Sequence, residues 1–259
     1  IKPIIGCEFY LCQNRFDKKN KDNGFNQVLL AKNKKGYQNL IKLSSLSFTD
    51  GFYYVPRIDK ELLLQYKDDL IVTTGSLSGE IPSLILNVGE TQAEEAFVWW
   101  KENFGDDFYV ELNNHGQEEE KHVNNILLSF CKKYNVKYFA ANNTYYNTQK
   151  ESETHDILLC IINAELKETP VGKGRGYRFG FPNNEYYFKN ADTMSELFKD
   201  LPEAISTTIE IANKIENYEL KRKVLLPKFD IPAGFTDEND YLRHLTYEGA
   251  KKRYAEISP

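Results

Sequence analysis

Three polar side chains fall at or just past the ends of strand-like runs: Glu8 in "GCEFY", His115 in "ELNNHG" and Asn143 in "AANNTYY". A carboxylate and an imidazole meeting at one mouth are donors that zinc- or manganese-like cations take, and such a cation acidifies a bound water for attack on a phosphate ester. The third position weakens that set. At the end of a buried strand a metal-dependent hydrolase would carry Asp and His where "ANNTYY" offers Asn and Tyr; an amide brings no charge and a neutral phenol replaces imidazole poorly. Structural alternatives stand beside the chemical ones. Glu8 can be a buried carboxylate satisfied by backbone N–H groups or by Asn143, and His115, before Gly116, can simply close a strand end. His122, His155 and His244 read as structural, with Ser152 or Thr154 capping the helix that holds His155. The glycines of "GKGRG" lack the G-x-x-x-x-G-K-[ST] spacing of a phosphate loop, which leaves Lys173, Arg175 and Arg178 as cations able to steer nucleic acid.

Positioning these groups requires buried strands that end together. "IIGCEFYL" (4–11), "DLIVTT" (69–74), "DFYVELN" (107–113) and "VKYFAAN" read as strands. Between and after them, helical periodicity is expected through "NQVLLAKNKKGYQNLIKLSSLSF", "TQAEEAFVWWKENFG" with Thr91 as N-cap, "EEEKHVNNILLSFCKKYN" and "ESETHDILLCIINAEL". The alternation predicts an α/β fold of parallel strands and helical crossovers, with function at the C-terminal strand ends. Trp99 and Trp100 read as packing residues. A Gly- and aromatic-rich stretch (167–188) leads to a short strand "YYF", then to the helices "TMSELFKDL" and "PEAISTTIEIANKIENY". A Pro/Gly-marked extended stretch and a last helix follow.

Bulk properties narrow the classes. At 259 residues the chain can bury a full core, and a mean hydropathy of −0.56 excludes a membrane-spanning segment. A net charge of −5 argues against a nucleic-acid footprint over the whole surface, yet leaves room for a local basic face at "RFDKKNKDNG" or "ELKRKV". Cys7, Cys12, Cys131 and Cys160 show no zinc-ribbon spacing and suggest a reduced, cytoplasmic interior. The start at Ile1 suggests an internal piece of something longer.

The stretches "KPIIGCEFYL", "VLLAKNKKGYQNLIKLSSLS", "GFYYVPRIDKELL", "GSLSGEIP", "FYVELNNHG", "ETHDILLCI" and "LLPKFDIPAG…YLRHLTYEGAKKRY" occur here in one order. Together they resemble the PHP (polymerase and histidinol phosphatase) domain of bacterial replicative C-family polymerases, the DNA polymerase III alpha subunits. The resemblance implies a distorted (β/α)7-type barrel over residues 1–218 lacking its N-terminal strands, with 219–259 a linker toward the polymerase core. Its metal-ligand positions fall on Glu8 and His115, which are retained. They also fall on Asn26, where "FNQVLLAKN" departs from a family histidine, and on Asn143 and Tyr145, which replace the Asp and His of "TNDxHY".

By that resemblance the parent activity is template-directed DNA synthesis, a nucleotidyl transfer using Mg²⁺, whose active site lies outside these residues. The domain itself is expected to be metal-degenerate and structural, needing no cofactor, and holding Mn²⁺ or Zn²⁺ only if its site is active. Expected partners are the rest of the alpha subunit, a proofreading exonuclease subunit, and DNA through the parent enzyme. A barrel opened by missing strands would expose the edge of its first strand and invite a homo-oligomer. The rival reading is a divalent-metal phosphoesterase or 3′-to-5′ exonuclease at Glu8 and His115. A free-standing PHP-type phosphatase is disfavoured by the "LLPKFDIPAG…EGAKKRY" continuation.

Overall fold

The computed structural model describes residues 2–221, 224 and 226–254. They divide into two compact units, Ile1–Tyr218 and Glu219–Pro259.

The first unit is built on a six-stranded sheet of order β3-β1-β2-β4-β5-β6, formed by β1 (Gly6–Leu11), β2 (Phe25–Ala31), β3 (Arg57–Ile58), β4 (Leu70–Thr73), β5 (Phe108–Asn113) and β6 (Tyr138–Ala141). Five strands run in one direction; β2 alone is antiparallel to both of its neighbours. Crossovers of the first unit use α1 (Lys34–Thr49), α2 (Lys60–Gln65), α3 (Glu80–Asn87), α4 (Glu90–Phe104) and α5 (Glu118–Tyr134). Then come α6 (Ser152–Asn163), α7 (Ala191–Leu197) and α8 (Pro202–Lys214).

Residues 25–31 correct the sequence reading. The run expected to open a helix at Asn26 is a strand: Gln27, Leu29 and Ala31 are buried while the alternate residues are half-buried, a period of two, and residues 25–30 pair with β1. The helix begins only after Asn33, whose side chain accepts from the N–H groups of Lys35 and Gly36. β1 pairs with β2 along its length but with the two-residue β3 only at Tyr10 and Leu11, so among the described residues its edge at Gly6–Phe9 has no strand partner. α4 starts after Gly89 rather than being capped by Thr91. Nor does Ser152 or Thr154 cap α6; a capping box of Thr148 and Glu151 closes the turn before it. "YYF" makes only a single bridge, Tyr187 to Tyr146.

The main core lies between one face of the sheet and helices α1 to α5, where Leu43, Leu63, Phe97 and Leu127 are fully buried. Trp100 is buried there as expected, its indole N–H donating to Glu80 at 2.7 Å. On the opposite face a small cluster of Ile71, Tyr109, Ile211 and Ile215 seats α8 over the N-terminal half of β5. That arrangement leaves the C-terminal half of the same face, Glu111 and Asn113, to polar chemistry. The four cysteines are unpaired.

The basic run 13–24 is ordered by Arg57. Its guanidinium, fully buried, donates to the carbonyls of Gly51, Asp22, Arg15 and Asp17 at 2.8 to 3.2 Å. Arg15 is itself buried against Asp59, and Lys18 donates to the carbonyls of Arg15, Asp50 and Phe52. Gly51 is required where it stands, because a Cβ there would lie 1.9 Å from the Arg57 carbonyl oxygen. The second basic run, "ELKRKV", contains Arg222 and Lys223, which lie outside the described residues.

Among the described residues of the second unit there is one helix, α9 (Glu238–Arg253), capped by Asp237, and none of the helix's residues is buried. No helix among the described residues is long and apolar enough to cross a membrane.

Candidate functional site

β5 delivers its chemistry by strand alternation: Tyr109, Glu111 and Asn113 share the face opposite the main core. Glu111 is buried and accepts from the Thr73 hydroxyl at 2.9 Å and the Asn113 amide at 3.0 Å. Burial pushes its carboxyl above the usual range, partly offset by those hydrogen bonds. The Oδ1 atom of Asn113 is buried without a partner. Sequence matching passed over Glu111; the signal was its place two residues from the strand end, in register with Asn113.

Glu8 corrects an expectation. Its side chain is exposed rather than buried, on the same sheet face, opposite Val28 and diagonal to Asn26. Asn26 is half-buried, and its backbone N–H donates to Ser78. Glu8 lies near enough to Glu111 and Tyr145 for its charge to add to the upward shift of both. In Tyr145 burial is the larger cause.

His115 and Asn143 meet, but through the backbone. His115 is fully buried; its main-chain N–H and its Nδ1 each lie 2.6 Å from one oxygen of Glu120. Its Nε2 accepts the N–H of Asn143 at 3.2 Å, which assigns the ring proton to Nδ1. The Nε2 lone pair is therefore engaged. Burial alone would raise the Glu120 carboxyl, but the hydrogen bonds from His115 outweigh it and hold that group below its ordinary value. Glu120, five residues along at the start of α5, was also missed by sequence reading.

Tyr145 stands half out of the surface beside a stack of rings that the sequence did not announce. His115 and Tyr186 stack at 4.4 Å, Tyr186 and Phe181 at 4.3 Å, Phe181 and His155 at 5.2 Å, with Tyr145 flanking the last three. Asn183 fastens the loop by donating to the His115 carbonyl at 2.7 Å. Arg178 is not free to steer a ligand: it is buried in a bidentate pair with Asp156 at 2.6 and 2.8 Å. Lys173, Arg175 and His122 are exposed, and His244 belongs to α9 of the second unit.

Among the described residues, no group of three His, Cys, Asp or Glu side chains is close enough to hold a metal ion. A divalent cation at this mouth would meet two carboxylates and neutral amides. Among known families, the PHP domain model matches residues 1–115. That stretch is similar to PHP domains. Along its whole length the chain is 40% identical to the DNA polymerase III subunit alpha of Borreliella burgdorferi and 35% identical to that of Treponema pallidum, in each case over 100% of the chain and 22% of the relative. The Thermus aquaticus subunit is 37% identical over 98% of the chain and 21% of its own length. The chain thus spans about a fifth of the curated relatives it matches. The PHP match takes in β1 to β5 and so Glu8, Asn26, Glu111 and His115; Asn143 and Tyr145 lie beyond it.

Proposed function

We propose that the chain is the PHP portion of a replicative DNA polymerase III alpha subunit and that it acts there as a scaffold. In this reading the sheet is part of a distorted (β/α)7-type barrel, and residues 219–259 lead toward the polymerase core. DNA synthesis, with its Mg²⁺, belongs to the rest of that cytoplasmic enzyme, and a proofreading exonuclease subunit docks on the PHP region. The observation that carries the scaffold role is the state of His115. Its Nε2 accepts from the Asn143 amide and its Nδ1 faces Glu120, while Asn26, Asn143 and Tyr145 hold positions where the family has charged or imidazole ligands. This donor set does not fit a multinuclear centre for Zn²⁺ or Mn²⁺, which takes anionic carboxylates and unengaged imidazole nitrogens.

The test is elemental analysis of the purified chain followed by calorimetric titration with Mn²⁺ and Zn²⁺. The expected result is no stoichiometric metal and no saturable binding at micromolar concentrations. Tight binding abolished by Glu8→Ala or His115→Ala would reverse the reading in favour of a divalent-metal phosphoesterase or 3′-to-5′ exonuclease.

A further inference from the structure

The loop held by Arg57 displays a surface that the scaffold role does not use. Phe16, Phe48, Phe52 and Tyr54 are each more than half exposed, an accumulation of aromatic area beyond the scattered apolar residues of an ordinary surface. The segments that carry them are fastened together. Lys18 ties the loop to the carbonyls of Asp50 and Phe52, Phe48 and Phe52 stack at 6.2 Å, and Lys21 lies 4.9 Å over the Tyr54 ring. Tyr54 takes φ of +64°, a left-handed conformation that a bulky side chain adopts only under constraint, and it keeps its ring 63% exposed.

Charge distinguishes this patch from a plain apolar contact. The carboxylates of the loop are turned onto its own backbone: Asp17 accepts from the Lys19 N–H, and Asp22 from the N–H groups of Gln13 and Gly24. Lys19 and Lys21 of the same loop are exposed, Lys21 against Tyr54, in a chain whose overall charge is −5. Flat rings at the surface with cations between them match a polyanion that carries flat bases.

We propose that Phe52 and Tyr54, with Phe16 and Phe48 beside them and Lys19 and Lys21 at their rim, form a binding platform for single-stranded nucleic acid. Bases stack on the rings and phosphates meet the two ammonium groups. Duplex, whose bases are already stacked, lacks the first of these interactions. The platform stands on its own geometry and requires neither the metal reading nor the scaffold role.

The test is fluorescence anisotropy with a labelled oligothymidylate of about 20 nucleotides, long enough to cover one such site. Saturable binding at low salt is expected, with an unlabelled duplex competing worse than single strand at equal phosphate. Phe52→Ala and Tyr54→Gly should each weaken binding about tenfold, the usual scale for one stacked base. Tyr54→Gly serves as the folding control, because glycine accepts the positive φ and should leave the melting temperature unchanged or raised. Combined Lys19→Gln and Lys21→Gln should flatten the log–log salt dependence by about 1.4, at roughly 0.7 per phosphate contact. Absence of binding at low salt, as for a patch meant for a protein, would overturn the proposal. So would equal competition by duplex, or ring variants that bind like the wild type.

Discussion

Replacing Glu120 with Gln changes the His115 anchor by one charge and almost no volume. The carboxylate accepts twice from one residue, from the His115 N–H and from Nδ1–H, both at 2.6 Å, in a place where the imidazole is wholly buried. A Gln amide can accept only one of them, and its NH₂ then faces the other donor. The loss is one charge-assisted hydrogen bond, about 1.5–3 kcal/mol, overlapping with the desolvation of an unpaired buried donor, about 1–3 kcal/mol. Together they come to roughly 3 kcal/mol. At about 2–4 °C per kcal/mol for a unit the size of Ile1–Tyr218, the melting temperature at pH 7 should fall on the order of 9 °C. The pH dependence gives a second check. Glu120 is held below its ordinary value in the folded state, so its contribution is fully present above the unfolded carboxylate pKa of about 4.3 and is lost as pH falls through the folded value. Thermal unfolding followed by circular dichroism should therefore show the gap between wild type and Glu120→Gln closing in acid. A gap under about 1 kcal/mol at pH 7, or one that persists unchanged to pH 3, would refute the reasoning.

Glu111→Gln should act in the opposite sense. Burial raises the Glu111 carboxyl, so the stability it contributes is present below its unfolded pKa and lost as pH rises through the folded value. Urea unfolding should find the Gln variant more stable than wild type at pH 8 and no more stable near pH 4, with the Thr73 hydroxyl able to turn and accept from the new amide. A destabilised variant at pH 8 would count against this account. Asp156→Asn removes the carboxylate from the buried Arg178 and should cost about 2 kcal/mol, less than a fully buried pair because Asp156 is partly exposed. Limited trypsin digestion should then cut faster after Lys173 or Arg175; an unchanged rate would show that the pair does not hold the loop.

Where a run had one face and one length, the sequence told its story. β4, β5 and β6, and helices α4 to α6, were readable because short apolar runs alternate with amphipathic ones. β2 was not. "NQVLLA" leads without a strong breaker into the helix that follows, and Leu29, Leu30 and Leu40 also satisfy a helical period; only pairing with β1 decides between the two. β3 escaped because two residues carry no pattern. The same limit governs the site. Glu8, His115 and Asn143 were picked out by type and place, and Asn26 and Tyr145 by the family resemblance, whereas Glu111 became visible only once alternation along β5 was known. The Glu120 to His115 contact and the 22-residue reach from Asp156 to Arg178 depend on how loops fold back, which no local spacing records.

Arg57 organises its loop through carbonyl dipoles rather than through a carboxylate partner. Guanidinium stays charged throughout the accessible pH range, carbonyls do not titrate, and a buried contact is little screened by added salt. The frame that presents Phe16, Lys19 and Lys21 is in that respect insulated from the solvent variables an experimenter changes. Above the range where Asp17, Asp22 and Asp59 take up protons, a change of ionic strength or pH that alters what this surface captures would thus report on the captured molecule and on the exposed lysines, with the Arg57 contacts beneath unchanged.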